Sequence, residues 1–517
     1  MKSRSLLEGV GAALLLFPYY LPFFHPQNHY IYHHGLPVTS LIGGLFVDLL
    51  GCSILVTGCL IGAQHLRPPL RKLAEALFAG LMLWSMVGFV LQVLIFEQSR
   101  FEYWGRIWWQ SAIAIPLLPC VFVFFLPRYA EPAVRAIRVV IAGFAFSALW
   151  IVPQLIYLAL LRQPVQNVVS AHRPDPAQTN SDRRIVWILL DELSYNQTFD
   201  HRAAGIELPN LDGLRAVSVS FSDLNPIGYG TNRIIPGLFS GRRIDKFRST
   251  IDGKLSYFDE TQRRWLAYDP NATLFGLAQR NGWSTGIDGW YNPYCSILAP
   301  VLDSCYRDPG IVIVPMEEYG ASEDRTVLAN AAALPNVFWA ALTHRKKINA
   351  EEHIQAYLNI MARTKASIND NKLRFLFLHI PVPHPPGIYD RQAHVLCPGG
   401  NYLDNLVLAD DTLGVLMREI AATPSASQTT VIVTSDHSWR IPLWRPAPGW
   451  TREEERVSGA KFDERPVLLV HFPDQKSGQD VRVALSQMLE HDMIAGMLLG
   501  QIENPEDLNT FLTRQGR

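Results

Sequence analysis

The sequence predicts an α-helical five-span membrane region followed by an α/β domain with a mainly parallel sheet between helices. Three observations carry this expectation. Five apolar stretches are confined to the first third of the chain, a polar proline-bearing segment follows them, and from there short β-branched runs alternate with helical patterns. The 517 residues have a formal net charge of −1 at pH 7, which gives no reason to expect a nucleic-acid partner or a polyanion-binding surface.

The apolar stretches lie near 6–24, 39–63, 73–97, 106–126 and 138–161. Each is long enough for a hydrocarbon core, which takes about 20 helical residues. The first follows Lys2 and Arg4 as a signal peptide would, but Pro18, Tyr19, Tyr20 and Pro22 form no small-residue cleavage site, so it is expected to be retained. Lys2, Arg4, Arg67, Arg71, Lys72, Arg128, Arg135 and Arg138 fall on one side of these spans, with only Arg100 and Arg106 opposite. Positive-inside counting puts the N-terminus in the cytoplasm, and an odd number of spans then places everything after Arg162 outside the inner or cell membrane, in the periplasm or beyond. The expected organisation is a transmembrane region over 1–162, a linker over 163–183 and a catalytic domain over 184–517.

The loop after the first span holds His25, His29, His33 and His34 among aromatic residues, a composition that suits interfacial anchoring better than any metal-ligand spacing. The linker carries Pro164, Pro174 and Pro176 without apolar period and reads as a tether. Cys52, Cys59 and Cys120 lie in apolar spans. In the exported part, Cys295 and Cys305 are close enough in sequence to staple a loop in an oxidising compartment, with Cys397 left over; three unrelated thiols is the alternative.

From Arg184 on, strand-like runs at 185–190, 375–380, 430–434 and 467–470 alternate with helix-like runs at 272–281 and 402–421. In such sheets functional groups collect beyond the carboxyl ends of the strands. Two ends carry chemistry: 185–190 stops at Asp191-Glu192, and 430–434 stops at Ser435-Asp436-His437. One acidic pair after one strand reads as a helix cap; two such ends, one with Asp-His, point to a metal. A third segment, Tyr229-Gly-Thr-Asn-Arg-Ile-Ile-Pro-Gly-Leu-Phe-Ser-Gly241, puts Thr231 and Asn232 at a helix start, where backbone N–H groups favour an anion. Thr231 there is either a cap or a nucleophile that needs a metal to lower its pKa.

Together these segments resemble the alkaline phosphatase and sulfatase superfamily. The 185–192 strand is similar to the sulfatase strand that ends in two acids, and Thr231 to Gly241 aligns with the sulfatase nucleophile segment, Thr231 on its cysteine and Leu238-Phe-Ser-Gly241 on its end. The Cys-x-Pro-x-Arg signal for formylglycine is missing, which argues against a formylglycine sulfatase. A closer resemblance is to the phosphoethanolamine transferases of lipid A and the lipoteichoic acid synthases, which use an unmodified threonine and carry five spans before an exported domain. Matches are Thr231 with Pro236 and Phe239-Ser240, His379-Ile-Pro-Val-Pro-His384-Pro-Pro, Asn401-Tyr-Leu with Ala409-Asp410 and Leu413-Gly414, and Val433-Thr-Ser-Asp-His437.

The resemblance implies an alkaline-phosphatase-like fold in which Asp191, Thr231, Asp436 and His437 hold one divalent ion, zinc first and manganese or calcium as alternatives. It implies Thr231 as the covalent nucleophile and His384 facing the substrate, as hydrogen-bond donor or general acid, unless it is only a loop residue. Glu192 is either a further ligand or a cap. Three departures stand out: Asp191 where the threonine transferases usually have Glu, Ser438-Trp439-Arg440 after His437, and Arg465-Pro466 where relatives often have a histidine, with Arg465 expected to bind phosphate or sulfate. The activity implied is transfer of a phospholipid head group, through phosphothreonine, onto an envelope glycan or lipid. An anchored hydrolase of phosphodiesters or sulfate esters is the alternative, and a non-catalytic binding module a distant third.

Overall fold

The computed structural model describes residues 2–24, 39–94, 114–160, 168–170, 183–249, 255–259, 262–308, 325–342, 350–447, 449–459 and 463–514. The described residues of the N-terminal region are mainly helical: α1 (Lys2–Phe24), α2 (Thr39–Ala63), α3 (Pro68–Leu94), α4 (Ala114–Phe125), α5 (Pro127–Phe144) and α6 (Ala148–Leu160). Among the described residues two stretches, Thr39–Ala63 and Glu131–Tyr157, are long and apolar enough to cross a membrane. The expected count of five is therefore not reached there. The predicted spans 73–97 and 106–126 run into residues outside those described, as does the histidine-bearing loop of His25, His29, His33 and His34.

The bundle has two unlike ends. At one, Arg138 pairs with Glu8 at 2.7 Å and Glu75 at 3.1 Å, Lys72 with Glu131 at 2.6 Å, and Gln64 donates to Ser5 at 3.2 Å. At the other, where α2 begins and α6 ends, the Thr39 hydroxyl donates to the Ala159 carbonyl at 2.9 Å.

The second region is built on a nine-stranded mixed sheet of β1 (Val168–Ser170), β2 (Arg184–Leu190), β3 (Val219–Phe221), β4 (Thr285–Trp290), β5 (Ser304–Asp308), β6 (Phe375–Ile380), β7 (Thr429–Thr434), β8 (Leu468–His471) and β9 (Gln479–Val481), in the order β1-β5-β4-β6-β2-β7-β8-β3-β9. The five central strands, β5 to β7 in that order, run parallel. β1 and β8 pair antiparallel to their inner neighbours. Side chains alternate across a strand, and β2 shows the result. Ile185, Trp187 and Leu189 enter one apolar core while Val186, Ile188 and Leu190 enter the other, so both faces are covered, as a buried parallel sheet requires.

One expectation is corrected here. The linker is not a plain tether, because Val168–Ser170 adds to the sheet edge against 304–306. The β-branched pair Val168-Val169 supplies the extended preference that the neighbouring prolines obscured.

Several motif residues hold the fold itself. Asp410, on α10 (Tyr402–Ala421, numbered after α7 to α9 below), accepts from the backbone N–H of Leu211 at 2.7 Å, and from the backbone and side chain of Asn210 at 3.2 and 2.7 Å. It thereby caps the short helix Pro209–Arg215 from outside, supplying acceptors that the first turn lacks. A Cβ at Gly414 would stand 2.4 Å from the Asn210 side chain, so glycine lets the two helices close on this joint. Before α10 come α7 (Thr231–Ser240), α8 (Val327–Leu342) and α9 (Ala350–Asn369); after it comes α11 (Leu489–Leu498).

Candidate active site

β2 and β7 are parallel neighbours in register, Thr434 opposite Leu189, so their carboxyl ends deliver Asp191 and Asp436 to one place. Asp191, Asp436 and His437 are all buried, with one potential ligand atom of each within 4.8 Å of the others. α7 begins at Thr231 after Gly230 in extended conformation, which brings the hydroxyl to 3.3 Å from His437 Nε2. The four residues expected to act together are thus brought together.

The ring of His437 is set for this. Its Nδ1–H donates to the Ser438 carbonyl at 3.0 Å, which turns Nε2 toward the Thr231 hydroxyl and toward Asp436 Oδ2, 3.0 Å away. Burial disfavours charge on both partners, but each outweighs it for the other: the carboxyl of Asp436 is held below its ordinary range and the imidazole of His437 is raised. Behind them, Gln487 donates to the carbonyls of Ser435 and Asp436, both at 2.9 Å. Glu490 on α11 accepts from the Thr434 hydroxyl at 2.8 Å, and burial pushes its carboxyl up to about 8.

Asp191 Oδ1 and Asp436 Oδ2 are buried with no hydrogen-bond partner. A buried anionic oxygen without a donor is costly, and a cation is the group that would satisfy two of them at once. Two carboxylates, an imidazole and a hydroxyl also form the mixed oxygen and nitrogen set that zinc and similar divalent ions accept. The residues present therefore fit a single ion.

Glu192, weighed in sequence as ligand or cap, is neither. Its carboxylate receives the Arg440 Nε–H and the Trp444 indole N–H, the latter at 2.9 and 3.0 Å, and its backbone carbonyl accepts from the Tyr402 hydroxyl at 2.9 Å. It sits at φ +66°, a left-handed conformation that a non-glycine residue adopts at a cost. The peptide turn there separates two adjacent acids, one toward the ligand cluster and one toward a guanidinium.

The guanidinium beside the ligand cluster is that of Arg440 and not that of Arg465, which was expected to bind phosphate or sulfate. Arg465 is spent elsewhere, on Asp463 and Asp200 at 2.6 Å each and on the Ser222 carbonyl at 2.7 Å. Arg440 instead lies between Glu192, the Tyr229 carbonyl at 3.4 Å and His384 Nε2 at 3.1 Å. Burial works against its charge, but Glu192, Asp191 and Asp436 more than offset that.

His384 is half-buried in its loop. Asn405 pins its loop by donating to the carbonyls of His384 and Pro386 at 2.9 and 3.0 Å. Burial first, and Arg440 second, push its imidazole well below the ordinary range, so it is neutral. Since Nε2 accepts from Arg440, the proton is on Nδ1, which is buried without a partner.

His379 went unassigned in the sequence although it is the one polar residue of an apolar strand. Its Nδ1 meets the Tyr294 hydroxyl at 2.7 Å, and its Nε2 lies 2.9 Å from the Trp290 indole N and 3.1 Å from Asp191 Oδ2. Asn292 donates to the Thr231 carbonyl at 3.3 Å, and Asn232 follows Thr231 on the first turn, half-buried. The loop bearing Asn292 and Tyr294 is fastened to β5 by a disulfide between Cys295 and Cys305, Cα atoms 5.6 Å apart, while Cys397 is free. His471 and His491 each donate a ring Nδ1–H to a backbone carbonyl, of Val217 at 2.9 Å and of Leu238 at 2.8 Å.

No protein-family model matches the chain, and no curated protein matches it. Solved structures similar to it include the PsFucS1 sulfatase from Pseudoalteromonas sp., at 14% identity over 62% of this chain and 68% of that one, TM-score 0.41. The phosphonate monoester hydrolase of Agrobacterium radiobacter is similar at 13% identity over 61% and 73%, TM-score 0.37. The lipoteichoic acid synthase LtaP from Listeria monocytogenes is similar at 13% identity over 65% and 76%, TM-score 0.36. Each is a likeness at low identity, and the chemistry below stands on the side chains of this chain.

Proposed function

We propose that this chain is a metal-dependent, membrane-anchored phosphotransferase that takes the head group of a membrane phospholipid onto Thr231 and passes it to a hydroxyl of an envelope glycan or lipid. The observation that carries the reading is the Thr231 hydroxyl, 3.3 Å from His437 Nε2 at the start of a helix, beside two buried carboxylate oxygens that lack donors. Asp191, Asp436, His437 and Thr231 would hold one divalent ion, zinc before manganese or calcium, and such an ion supplies positive charge that acidifies the hydroxyl and offsets phosphoryl charge.

The chain's own residues supply the rest. Thr231 Oγ attacks phosphorus, the bond from phosphorus to the lipid's glycerol oxygen breaks, and the hydroxyl proton ends on that departing oxygen. In the second half the acceptor hydroxyl attacks the phosphothreonine, the bond to Thr231 Oγ breaks, and the acceptor's proton restores the threonine. Arg440, held charged and oriented by Glu192, faces the phosphoryl oxygens as a hydrogen-bonding cation. His384, neutral with Nδ1–H unpaired, donates to a phosphoryl oxygen; its low proton affinity disfavours the general-acid role.

The two ends of the bundle suit this placement. The end rich in Arg4, Lys72 and Arg138 fits the cytoplasmic face, and the end joined to the catalytic domain fits the exported face. Intact mass spectrometry of metal-loaded protein incubated with mixed phospholipids, with Thr231→Ala as control, tests the mechanism. A head-group mass on wild type alone supports it. Turnover with no acceptor requirement moves the reading to the anchored hydrolase, in which water clears the intermediate.

A further inference from the structure

The segment between β5 and α9 contains α8, a helix without a single charged residue, Val-Leu-Ala-Asn-Ala-Ala-Ala-Leu-Pro-Asn-Val-Phe-Trp-Ala-Ala-Leu. Although it belongs to the catalytic region in sequence, it packs on the bundle. Its partner is the first turns of α2, the helix long and apolar enough to span a membrane.

The approach is close. A Cβ at Gly43 would stand 2.9 Å from Val327 Cγ2, and one at Gly44 would stand 2.9 Å from the backbone N of Ala331. Small residues that let two backbones meet are how helices associate inside lipid, where no hydrophobic force drives them together. Asn330 is fully buried and donates to the Ser40 hydroxyl at 3.3 Å. Residues 40–44 lie within about 8 Å of the start of α2, at 1.5 Å per residue, so a helix held against them is at the depth of the bilayer boundary. The face of α8 away from α2 remains open, with Leu328 73% exposed. The same end of the bundle receives the end of α6 at Thr39, and β1 just after α6 pairs with β5 just before α8. Three connections therefore meet at one membrane face.

We propose that α8 is a membrane-seated helix of the catalytic domain, clasped to α2 through Gly43 and Gly44 with its outer face in the lipid, so that the domain is docked on the bilayer instead of swinging on a linker. The occupant of the open face is acyl chain: the helix continues the surface of a span and its sequence is flanked by Arg325 and by Arg345-Lys-Lys347, which suit anionic head groups. The inference rests on the membrane reading given above and deepens it. Docking fixes the height of Thr231 over the surface from which a lipid head group would be drawn.

Two measurements test it, on the full chain in nanodiscs of phosphatidylethanolamine and phosphatidylglycerol, with Cys52, Cys59, Cys120 and Cys397 replaced by Ser. In the first, Gly43→Cys is combined with Val327→Cys. A Cβ at position 43 would lie 3.6 Å from Val327 Cβ, a separation that a disulfide spans without movement. Mild oxidation should give peptides linked through positions 43 and 327 in high yield, while Gly51→Cys with Val327→Cys, roughly 12 Å further along α2, should give almost none. Equal yields overturn the clasp. In the second, a fluorophore on Leu328→Cys should be quenched several-fold more by nitroxide-bearing acyl chains than the same fluorophore on Val483→Cys, an exposed position of the catalytic domain. Equal quenching overturns the membrane seat. Neither readout needs turnover, so a failed transferase assay leaves the inference standing, and a failed crosslink leaves the transferase reading standing.

Discussion

Two buried aspartates set apart by their partners divide this molecule into what holds it and what it does. Asp410 and Asp436 are both about fully buried and both belong to the motifs on which the sequence resemblance rests. Asp410 has donors on both oxygens, all from the helix start it caps. Asp436 has a donor on Oδ1 from Glu192, while its Oδ2 is without one and faces His437. The lesson is that burial alone does not mark a functional carboxylate. Asp436 combines burial with an acceptor left open beside a second open one on Asp191, a pairing that a cation would relieve.

The largest effect should come at the open site. Thr231→Ala is expected to reduce turnover on the order of 10³-fold or more while the unfolding midpoint stays near wild type; near-full activity would remove the nucleophile from the mechanism. Asp436→Asn and Asp410→Asn then cross the comparison. The first should lose bound metal by elemental analysis and lose activity, and chelation of wild type should mimic it reversibly. The second should retain metal but lose about 1–3 kcal/mol of stability, because the cap of Pro209–Arg215 is impaired. If Asp410→Asn sheds metal and Asp436→Asn does not, the assignment is reversed.

The two arginines sharpen the same contrast. Arg440→Gln should lower kcat/KM by about 10²-fold with metal content unchanged, the order expected for removing one charged donor from a phosphoryl site. Arg465→Gln, whose guanidinium is tied to Asp463 and Asp200, should leave kcat/KM within about twofold and alter stability by about 1 kcal/mol. Equal kinetic losses would place Arg465 at the substrate after all.

The remaining effect is on stability against pH and leaves the chemistry of the site untouched. The carboxyl of Glu490 is raised by burial from 4.5 to about 8 in the folded protein. Between those values the folded chain holds a proton that the unfolded chain has released, so stability falls as pH rises through the window, by at most about 1.4 kcal/mol per pH unit. Denaturant midpoints from pH 5 to 8 should show that decline in wild type, and Glu490→Gln should flatten it. An unchanged slope would mean the group is ionised in the fold.

Much of this site was legible before the fold was known. Strand ends rich in acids can be read from β-branched runs that stop at Asp191 and Asp436, because in a parallel sheet the carboxyl edge is where side chains escape the core. The adjacency of those two ends could not be read, since it depends on β2 and β7 pairing across more than two hundred residues. Arg465, expected at a phosphate or sulfate, is instead paired for a local reason. Asp463, two residues before it, already neutralises it, and a neighbouring acid at that spacing was a signal against a free cation. Arg440 had a signal too, in the departure of Ser438-Trp439-Arg440 from the resembled pattern, but its partner Glu192 could be found only in three dimensions. His379 declared itself as a lone imidazole in Phe375–Ile380. In the N-terminal region the apolar runs were plain, while the packing of α8 on α2 was not, because Ala-rich and Gly-rich faces carry no periodic mark of their partner.

The bridge from Cys295 to Cys305 ties the loop of Asn292 and Tyr294 to the strand beside it, and these two side chains steady Thr231 and His379. A chain still facing a reducing compartment would hold two thiols there and a slack wall to its site. In the proposed topology, closure of this bridge on the far side of the membrane would be the step that stiffens the wall beside Thr231.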